Sequence, residues 1–222
     1  MRRENFYMAE IVVKKRKDDT NKFCFCGVVV GKRGTASTQT VTLRVSTSHN
    51  GRLYTNHPAI LVFDQNVQEK VDVVPLRVPV IAEGYITSRK QDKDAERDGN
   101  AGQRMPYDRP LQTFILTDIR VANEDEKENR NEIDITGSVE KAYVGKGNVI
   151  HFIIVSFREG HYMKRIKVDL FPKDNMDYQD ILSMMVAGTR LHVKGHCSTI
   201  TQESDHGTRH LEFIVADEIE HA

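Results

Sequence analysis

Apolar residues along this chain form ten short runs, separated by polar stretches rich in glycine and charge. Runs of about five to nine residues with many β-branched members, bounded by turn residues, predict strands. Helical character is limited to 177–187, with Asp174 or Asn175 as N-cap and Gly188 as the C′ residue, and a weaker segment at 66–73. The chain is therefore predicted to be mostly β, with strands at 24–30, 41–45, 59–63, 78–86, 111–121, 133–139, 149–157, 166–171, 191–193 and 211–215.

The order of these runs repeats within the chain. Gly27 matches Gly137 and Gly84 matches Gly195, at offsets of 110 and 111. The segment TFILTD at 113–118 matches EFIVAD at 212–217 at the shorter offset of 99, because the polar stretch 88–110 is longer than its counterpart 198–209. Both polar stretches are predicted to be loops. The chain thus contains two copies of one unit.

Each copy runs strand, hairpin, strand, short helix, glycine-bearing strand, long loop and final strand. Five strands with a helix between the third and fourth is the order of the OB-fold, which binds oligonucleotides on its second and third strands and adjoining loops. Glycine within a strand is typical of the bulges and corners of a small barrel. We expect an all-β fold with short helices: a five-stranded OB-fold barrel at 1–121, an acidic linker at 122–131 and a second barrel at 132–222. The alternative is an accidental match between two unrelated β-domains.

The charge distribution favours the first copy as a polyanion binder. The net charge is zero, but residues 1–120 hold 20 Lys and Arg against 14 Asp and Glu, and the remainder holds 12 against 18. We therefore expect the first copy to bind more tightly. Three cysteines fit a reducing cytoplasm better than a disulfide framework, and no signal peptide or membrane-spanning run is present, so a cytoplasmic protein without a membrane partner is expected.

With those segments in view, the second copy resembles the single-stranded DNA-binding proteins of bacteria, phages and plasmids. NEIDITGSVE at 131–140, VIHFIIVSF at 149–157, IKVDLF at 166–171, AGTRLHVKGH at 187–196 and LEFIVADEI at 211–219 are similar to five successive segments of that family. The first copy shares the resemblance only through the repeat. This chain departs from the family in having no tryptophan, two units per chain and no long acidic tail with a hydrophobic tip. The last departure puts tail-mediated partner recruitment in doubt.

Sequence-tolerant binding of a single strand needs cations along the phosphates and flat side chains on which bases stack. In the first copy, Arg44 alternates with apolar neighbours and is predicted to face outward. Cations in the turn after the first strand, an arginine and a tyrosine in the hairpin, and further cations and a tyrosine in the long loop add to it. The alternative for the long loop is a solvated insertion, because acidic residues nearly balance its positive charge. The first-copy candidates are Lys32, Arg33, Arg44, Arg52, Tyr54, Arg77, Arg89, Lys90, Tyr107 and Arg109.

The second copy offers candidates in its first turn, its hairpin and its third strand. Arg165 and Lys167 alternate with Ile166 and Val168, so both cations are predicted to face outward, where an ordinary charged strand face is the alternative. The candidates are Tyr143, Lys146, Phe157, Tyr162, Arg165 and Lys167. The remaining strand aromatics are predicted to lie in the core: Phe63, Phe114, Phe152, Phe171 and Phe213.

Metal and enzyme chemistry find little support in the sequence. Cys24 and Cys26 lack zinc-knuckle spacing and have no second pair, so no metal or other cofactor is expected; the alternative is a zinc site of His196, Cys197, His206 and His210. GKRGT at 31–35 and GKGN at 145–148 do not fit a phosphate loop, and no G-x-S-x-G or H-E-x-x-H is present. We predict a non-catalytic protein.

The sequence therefore predicts a sequence-tolerant single-stranded DNA-binding protein acting in replication, recombination or DNA transfer. A homodimer would bring four OB units together, a count that the resembled family often uses, and replication or recombination proteins are further expected partners. The alternatives are an OB-fold module of a replication or phage assembly complex that binds a protein, an RNA-binding OB protein, and a metal-dependent nuclease.

Overall fold

The structure, a computed structural model, describes residues 19–35, 37–49, 52–89, 111–126, 130–158, 161–172, 178–204 and 207–222. Strands dominate this part of the chain, which confirms the all-β class with short helices. The strands are β1 Asn21–Thr35, β2 Thr38–His49, β3 Arg52–Asn56, β4 Ala59–Val62, β5 Pro79–Arg89, β6 Leu111–Val121, β7 Asn131–Val144, β8 Ile150–Arg158, β9 His161–Leu170, β10 Arg190–Ser204 and β11 Gly207–His221. The helices are α1 Gln65–Val73 and α2 Tyr178–Met184, with 3₁₀ turns at Glu124–Glu126 and Lys146–Asn148.

The first barrel consists of β1 to β6. Its pairings run β1–β2–β4–β6–β5 and return to β1, so five strands close a ring in which only β4 and β6 are parallel. β3 continues the line of β4 beyond His57 and Pro58 and pairs with the outer half of β2. Three buried rings fill the interior: Phe23 stacks on Phe25 with ring centroids 4.6 Å apart, and Phe114 meets both edge-on at 5.2 Å.

The second barrel consists of β7 to β11 and repeats this arrangement. Its pairings run β7–β8–β9–β11–β10 and return to β7, again with one parallel pair, β9 with β11. The pairing of β10 with β11 shifts register between Lys194 and Gly195, as that of β5 with β6 does between Glu83 and Gly84. The two matched glycines thus lie at the same corner of their barrels.

Both predicted helices form, with altered ends. Asp64 caps α1 by accepting a hydrogen bond from the backbone N–H of Val67 at 3.2 Å. The second helix ends three residues earlier than predicted, so Gly188 is not its C′ residue and instead has a φ of +91° in the following turn. Asp174 and Asn175 lie outside the described residues. In the described part of the chain, no helix is long and apolar enough to cross a membrane.

The prediction of a loop at 198–209 is wrong, because β10 and β11 continue as a paired hairpin as far as Ser204 and Gly207. Alternating polar residues with β-branched members can extend a hairpin, and this one gains contacts on the first barrel. The strand pairing also corrects the predicted alignment of the last strands. Thr199 pairs with Glu212 as Ser88 pairs with Gln112, so Gln112 matches Glu212 and the offset is 100 instead of 99. In the other predicted loop, β5 reaches Arg89 and β6 begins at Leu111, and residues 90–110 lie outside the described part.

The two barrels meet along an antiparallel seam between β1 and β7. Phe23 lies opposite Ile133, its own counterpart in the repeat, so the seam relates the barrels by an approximate two-fold axis. The amide of Asn21 exchanges two hydrogen bonds with the backbone of Ile86, both at 2.9 Å. Its counterpart Asn131 exchanges two with the backbone of Cys197, at 2.7 and 2.8 Å. Each asparagine therefore continues the strand ladder past the corner glycine of its own barrel.

A second set of contacts is also reciprocal between the barrels. The Ser88 hydroxyl accepts from the N–H of Arg165 at 3.1 Å, and the Thr199 hydroxyl accepts from the N–H of His57 at 3.0 Å. One step along, Gln112 accepts from the N–H of Lys167, and Glu212 accepts from the N–H of Ala59. The outer hairpin of each barrel is thus hydrogen-bonded to the third strand of the other.

The two described ends of the segment between the barrels, at Glu126 and Arg130, are hydrogen-bonded to the first barrel. Arg120 forms two hydrogen bonds to the Glu126 carboxylate, at 2.6 and 2.7 Å, and this guanidinium lowers the pKa of Glu126 to about 2. The carbonyl of Arg130 accepts from the N–H of Cys26. The division at 121 and 132 into separately folding domains stays a prediction.

Replacing Asn131 with alanine should lower the free energy of unfolding by about 2 kcal/mol. The change leaves the N–H and carbonyl of buried Cys197 without this partner, and also removes a hydrogen bond to the Thr47 hydroxyl. Urea unfolding followed by circular dichroism measures the loss. Asn66→Ala, at an exposed position in α1, is the control and should change stability by less than about 0.5 kcal/mol. A loss no larger than that of the control would show that the hydrogen bonds of the Asn131 side chain do not stabilise the fold.

Candidate nucleic-acid interface

The outward face of β1, β2 and β4 carries two exposed arginines. Val41, Leu43 and Val45 point into the barrel, so Arg44 faces out, as predicted. Arg33 lies opposite Thr40 on the same face, within β1 rather than in the predicted turn. The cross-strand rows between and beside them hold uncharged residues: Thr40, Thr42, Ala59 and Leu61. This surface combines positive charge with room for a backbone of phosphates.

Other first-barrel candidates lie apart from that face. Tyr54 is 48% exposed and lies opposite Thr47, so it is on the other side of the β2–β3 ribbon from Arg44. Arg52 is exposed on the same side as Tyr54. Arg77 is exposed in a turn with a φ of +64°. The structure therefore does not bring Arg44 and Tyr54 onto one flat surface.

Lys32 has a structural role at the end of α1. Its ammonium group donates hydrogen bonds to the carbonyls of Val71 and Val74, and a longer one of 3.3 Å to that of Asp72. Positive charge at a helix C-terminus stabilises the exposed carbonyls there. These contacts within the barrel leave Lys32 a poor candidate for phosphate.

In the second barrel, exposed candidates occupy the equivalent face. Tyr143 is 47% exposed at the end of β7, and Lys146 is exposed in the 3₁₀ turn that follows. Arg165 faces outward, as predicted, and pairs with Glu140 at 2.8 Å. Phe157 is half-buried, and its N–H donates to the carboxylate of Asp19 at 2.7 Å.

Lys167 lies on the outward side of β9, as predicted, but it is not exposed to solvent. Its side chain is buried, with 8% of the residue exposed, and its ammonium lies 3.1 Å from the Asp169 carboxylate. The reason is tertiary: the first barrel's β5–β6 hairpin lies against the edge of β9, where Gln112 accepts from the Lys167 N–H. Strand alternation cannot reveal such a cover.

Several candidates lie where side chains are not described. Lys90, Tyr107 and Arg109 are outside the described residues, while Arg89 ends β5 and Tyr162 lies in β9.

Two aromatic residues that the sequence analysis assigned to the core are exposed. Phe63 is 44% exposed and Phe171 is 56% exposed, whereas Phe114 and Phe152 are buried as predicted. Phe213 is only partly buried. Phe63 and Phe171 are equivalent residues that directly follow the third strand of each barrel. Each ends an apolar run, a position that does not by itself show whether the residue lies inside the core. They add two flat apolar side chains to the candidate surface.

Thiols and histidines do not assemble a metal site in the described part of the chain, where no group of three or more His, Cys, Asp or Glu residues could hold an ion. Cys197 is fully buried, and burial raises the pKa of its thiol. His196, on the opposite side of the strand, is hydrogen-bonded to Asp217 at 2.8 Å. The placement of the His206 and His210 side chains is not described.

A cavity of about 830 Å³ lies over the β1–β7 seam. Its lining includes Lys22, Arg130 and Lys194, but more carboxylates: Glu83, Glu132, Asp134, Asp217 and Glu218. Several of these are already paired, such as Lys22 with Asp134 at 3.3 Å and Lys194 with Glu218 at 3.0 Å. The excess of acid does not favour phosphate, so the arginine face of the first barrel is the better candidate.

Comparison with known proteins gives a likeness of fold. The sequence matches no protein-family profile and no curated protein. The wild-type single-stranded DNA binding protein from Thermus aquaticus is similar in structure, with a TM-score of 0.64 and 13% identity over 93% of this chain and 94% of that chain. A deletion mutant of the same protein gives a TM-score of 0.61 and 11% identity over 92% and 95%. The chain therefore has the OB fold seen in the single-stranded DNA binding protein from Thermus aquaticus.

Proposed function

We propose that this protein binds single-stranded DNA with little sequence preference, through phosphate contacts from exposed cations and stacking of bases on exposed aromatic rings. The observation that carries the proposal is the outward face of the first barrel, where Arg33 and Arg44 lie among uncharged residues. This is the face on which OB-folds bind oligonucleotides. The Thermus aquaticus neighbour, similar along nearly the whole chain, is named for the same activity.

The proposed binding surface extends over both barrels. In the first barrel, Phe63 adds to the arginine face, and Arg52, Tyr54 and Arg77 are candidates apart from it. In the second barrel, the contributors are Tyr143, Lys146, Phe157, Arg165 and Phe171. We retain Arg89, Lys90, Tyr107, Arg109 and Tyr162 as further candidates. The larger positive charge of the first half supports tighter binding by the first barrel.

Titration of a labelled oligo-dT of about 35 nucleotides, followed by fluorescence anisotropy, tests the proposal, because OB sites cover about 4–16 nucleotides each. With about 4 to 6 phosphates neutralised, the log–log salt slope should be about −3 to −4, using about 0.7 per phosphate. Arg33→Ala/Arg44→Ala should make the slope less steep by about 1.4 and weaken binding at low salt. Arg120→Ala, which removes an arginine already paired with Glu126, is the matched control and should keep the wild-type slope.

Competitors separate the alternatives. Duplex DNA of equal length should not displace the oligo-dT, whereas an equal length of oligo-U distinguishes RNA from DNA preference. Salt-independent binding, or no binding at low salt, would contradict the proposal and favour an OB-fold module that binds a protein.

The roles proposed for such an activity are the protection or presentation of single strands in replication, recombination or DNA transfer. A homodimer and replication or recombination partners belong to the same proposal. Light scattering of the purified protein measures whether it is a homodimer. Affinity capture with and without single-stranded DNA tests for replication or recombination partners.

A further inference from the structure

The second barrel carries a cluster of aromatic and charged side chains on its outward face that differs from the equivalent residues of the first barrel. Tyr143 on β7, His151 on β8 and Asp169 on β9 form one cross-strand row, and Lys167 lies one row away on β9. The equivalent row of the first barrel consists of Arg33, Thr40 and Leu61. A cation in one barrel is therefore replaced by an aromatic ring in the other, and the neighbours of that ring differ as well.

The cluster holds the imidazole of His151 from two sides. Nδ1 of His151 lies 2.7 Å from a carboxylate oxygen of Asp169, and the buried Lys167 ammonium lies 3.1 Å from that same oxygen. On the other side, the ring is packed so closely on Gly145 that a Cβ there would lie 2.3 Å from Nε2. Both His151 and Asp169 have largely buried side chains, 17% and 8% exposed. Few orientations remain open to this imidazole.

The fixed imidazole in turn supports the exposed ring of Tyr143. Their ring centroids are 5.2 Å apart with an angle of 44° between the planes. Tyr143 is 47% exposed, so part of the phenol remains accessible to a ligand. A side chain that is already ordered loses less rotamer entropy when a ligand binds.

We propose that His151, held by Asp169 and Lys167, is a positioning residue that fixes Tyr143 as a stacking platform for one unpaired base. This inference rests on the proposed function and deepens it, because it gives the acidic second barrel an aromatic contact in place of the phosphate contact expected of Arg33. Lys167 then acts through Asp169 and not on phosphate.

The absence of tryptophan from the sequence allows a direct test with the full chain. Tyr143→Trp and, separately, Tyr54→Trp each introduce a single fluorophore, one in each barrel. Oligo-dT should quench Trp emission in the Tyr143→Trp protein, as expected for stacking on a base. Quenching at position 54 without quenching at 143 would overturn the inference while leaving the proposed function intact. Quenching at neither position, together with no anisotropy change of labelled oligo-dT, would overturn both.

The positioning role is tested by a double-mutant cycle on oligo-dT affinity. Tyr143→Ala should weaken binding about tenfold, within the range for loss of one stacked base, and His151→Ala about threefold or more. The double variant should bind no more weakly than Tyr143→Ala, since His151 acts through the tyrosine. Additive losses would overturn the proposal.

Gly145→Ala is the second variant, in case loss of His151 disrupts folding. This variant keeps every side chain of the cluster, but its added Cβ forces the His151 imidazole to move. Gly145 has a φ of −95°, which alanine can also adopt. In the Tyr143→Trp background it should lower the steady-state Trp anisotropy and reduce quenching. Asn66→Ala, at an exposed position in α1, is the control. Unchanged anisotropy and quenching in the Gly145→Ala protein would contradict the positioning role.

Discussion

Replacing Gly84 with alanine is expected to lower the free energy of unfolding by more than about 4 kcal/mol. A Cβ on Gly84 would lie 1.9 Å from the carbonyl oxygen of Ile115 and 2.8 Å from the ring of Phe23. The first contact is with backbone, so relief requires β5 and β6 to separate at the corner where their register shifts. The second is with a buried ring that is already packed against two others.

Urea unfolding followed by circular dichroism measures this loss, and failure to recover folded protein is its extreme form. Gly195→Ala should behave alike, because its Cβ would lie 2.1 Å from the Val215 carbonyl oxygen at the matching corner. Gly31→Ala, whose Cβ would make only an ordinary van der Waals contact with Thr42 at 3.8 Å, is the control and should stay within about 1 kcal/mol of wild type. A Gly84→Ala protein as stable as this control would show that the corner is not tightly packed.

Replacing Glu212 with glutamine is expected to stabilise the protein by up to about 3 kcal/mol above pH 8 and to leave it unchanged near pH 4. Burial between the barrels raises the pKa of Glu212 from 4.5 to about 7, partly offset by the hydrogen bond from the Ala59 N–H. One pKa unit corresponds to about 1.36 kcal/mol. Glutamine keeps the accepting oxygen and carries no charge to desolvate.

The direction of the pH dependence follows from linkage. Between pH 4.5 and 7 the folded state binds more protons at Glu212 than the unfolded state does, so this contribution to stability is fully present below pH 4.5 and is lost as pH rises through about 7. The difference between variant and wild type, measured by urea unfolding at several pH values, isolates this group. The reciprocal change Gln112→Glu should introduce the same dependence at the equivalent site. A difference that is constant with pH would refute the assignment.

Much of the fold could be predicted from local pattern. Each apolar run became a strand, because alternation such as Val41, Leu43 and Val45 requires one buried face. The corner glycines Gly84 and Gly195 gave the repeat a physical basis, since only glycine tolerates the approach of a neighbouring carbonyl there. Arg44 and Arg165 face outward for the same reason of alternation.

Prediction failed where the two barrels cover each other. Lys167 has an outward position in its strand, yet the hairpin of the other barrel covers it, and no local pattern carries that information. The reciprocal contact involves the hairpin predicted as a loop at 198–209, where Thr199 is hydrogen-bonded to Asn56 and His57 of the first barrel. The predictions for Phe63 and Phe171 failed for a different reason. When an apolar run ends in phenylalanine, the sequence does not show whether that last residue is buried in the core or exposed beyond it.

The approximate two-fold seam has one consequence for how the halves can differ. In a homodimer built on a two-fold axis, each substitution occurs twice and must be compatible with itself across the interface. A single chain holding both halves has no such restriction, so each partner position can carry its own residue. Gln112 faces one barrel and Glu212 the other, and Arg33 stands where its counterpart is Tyr143. Covalent connection thus permits division of labour: one half can specialise in charge and the other in aromatic contact while the shared seam stays nearly symmetric.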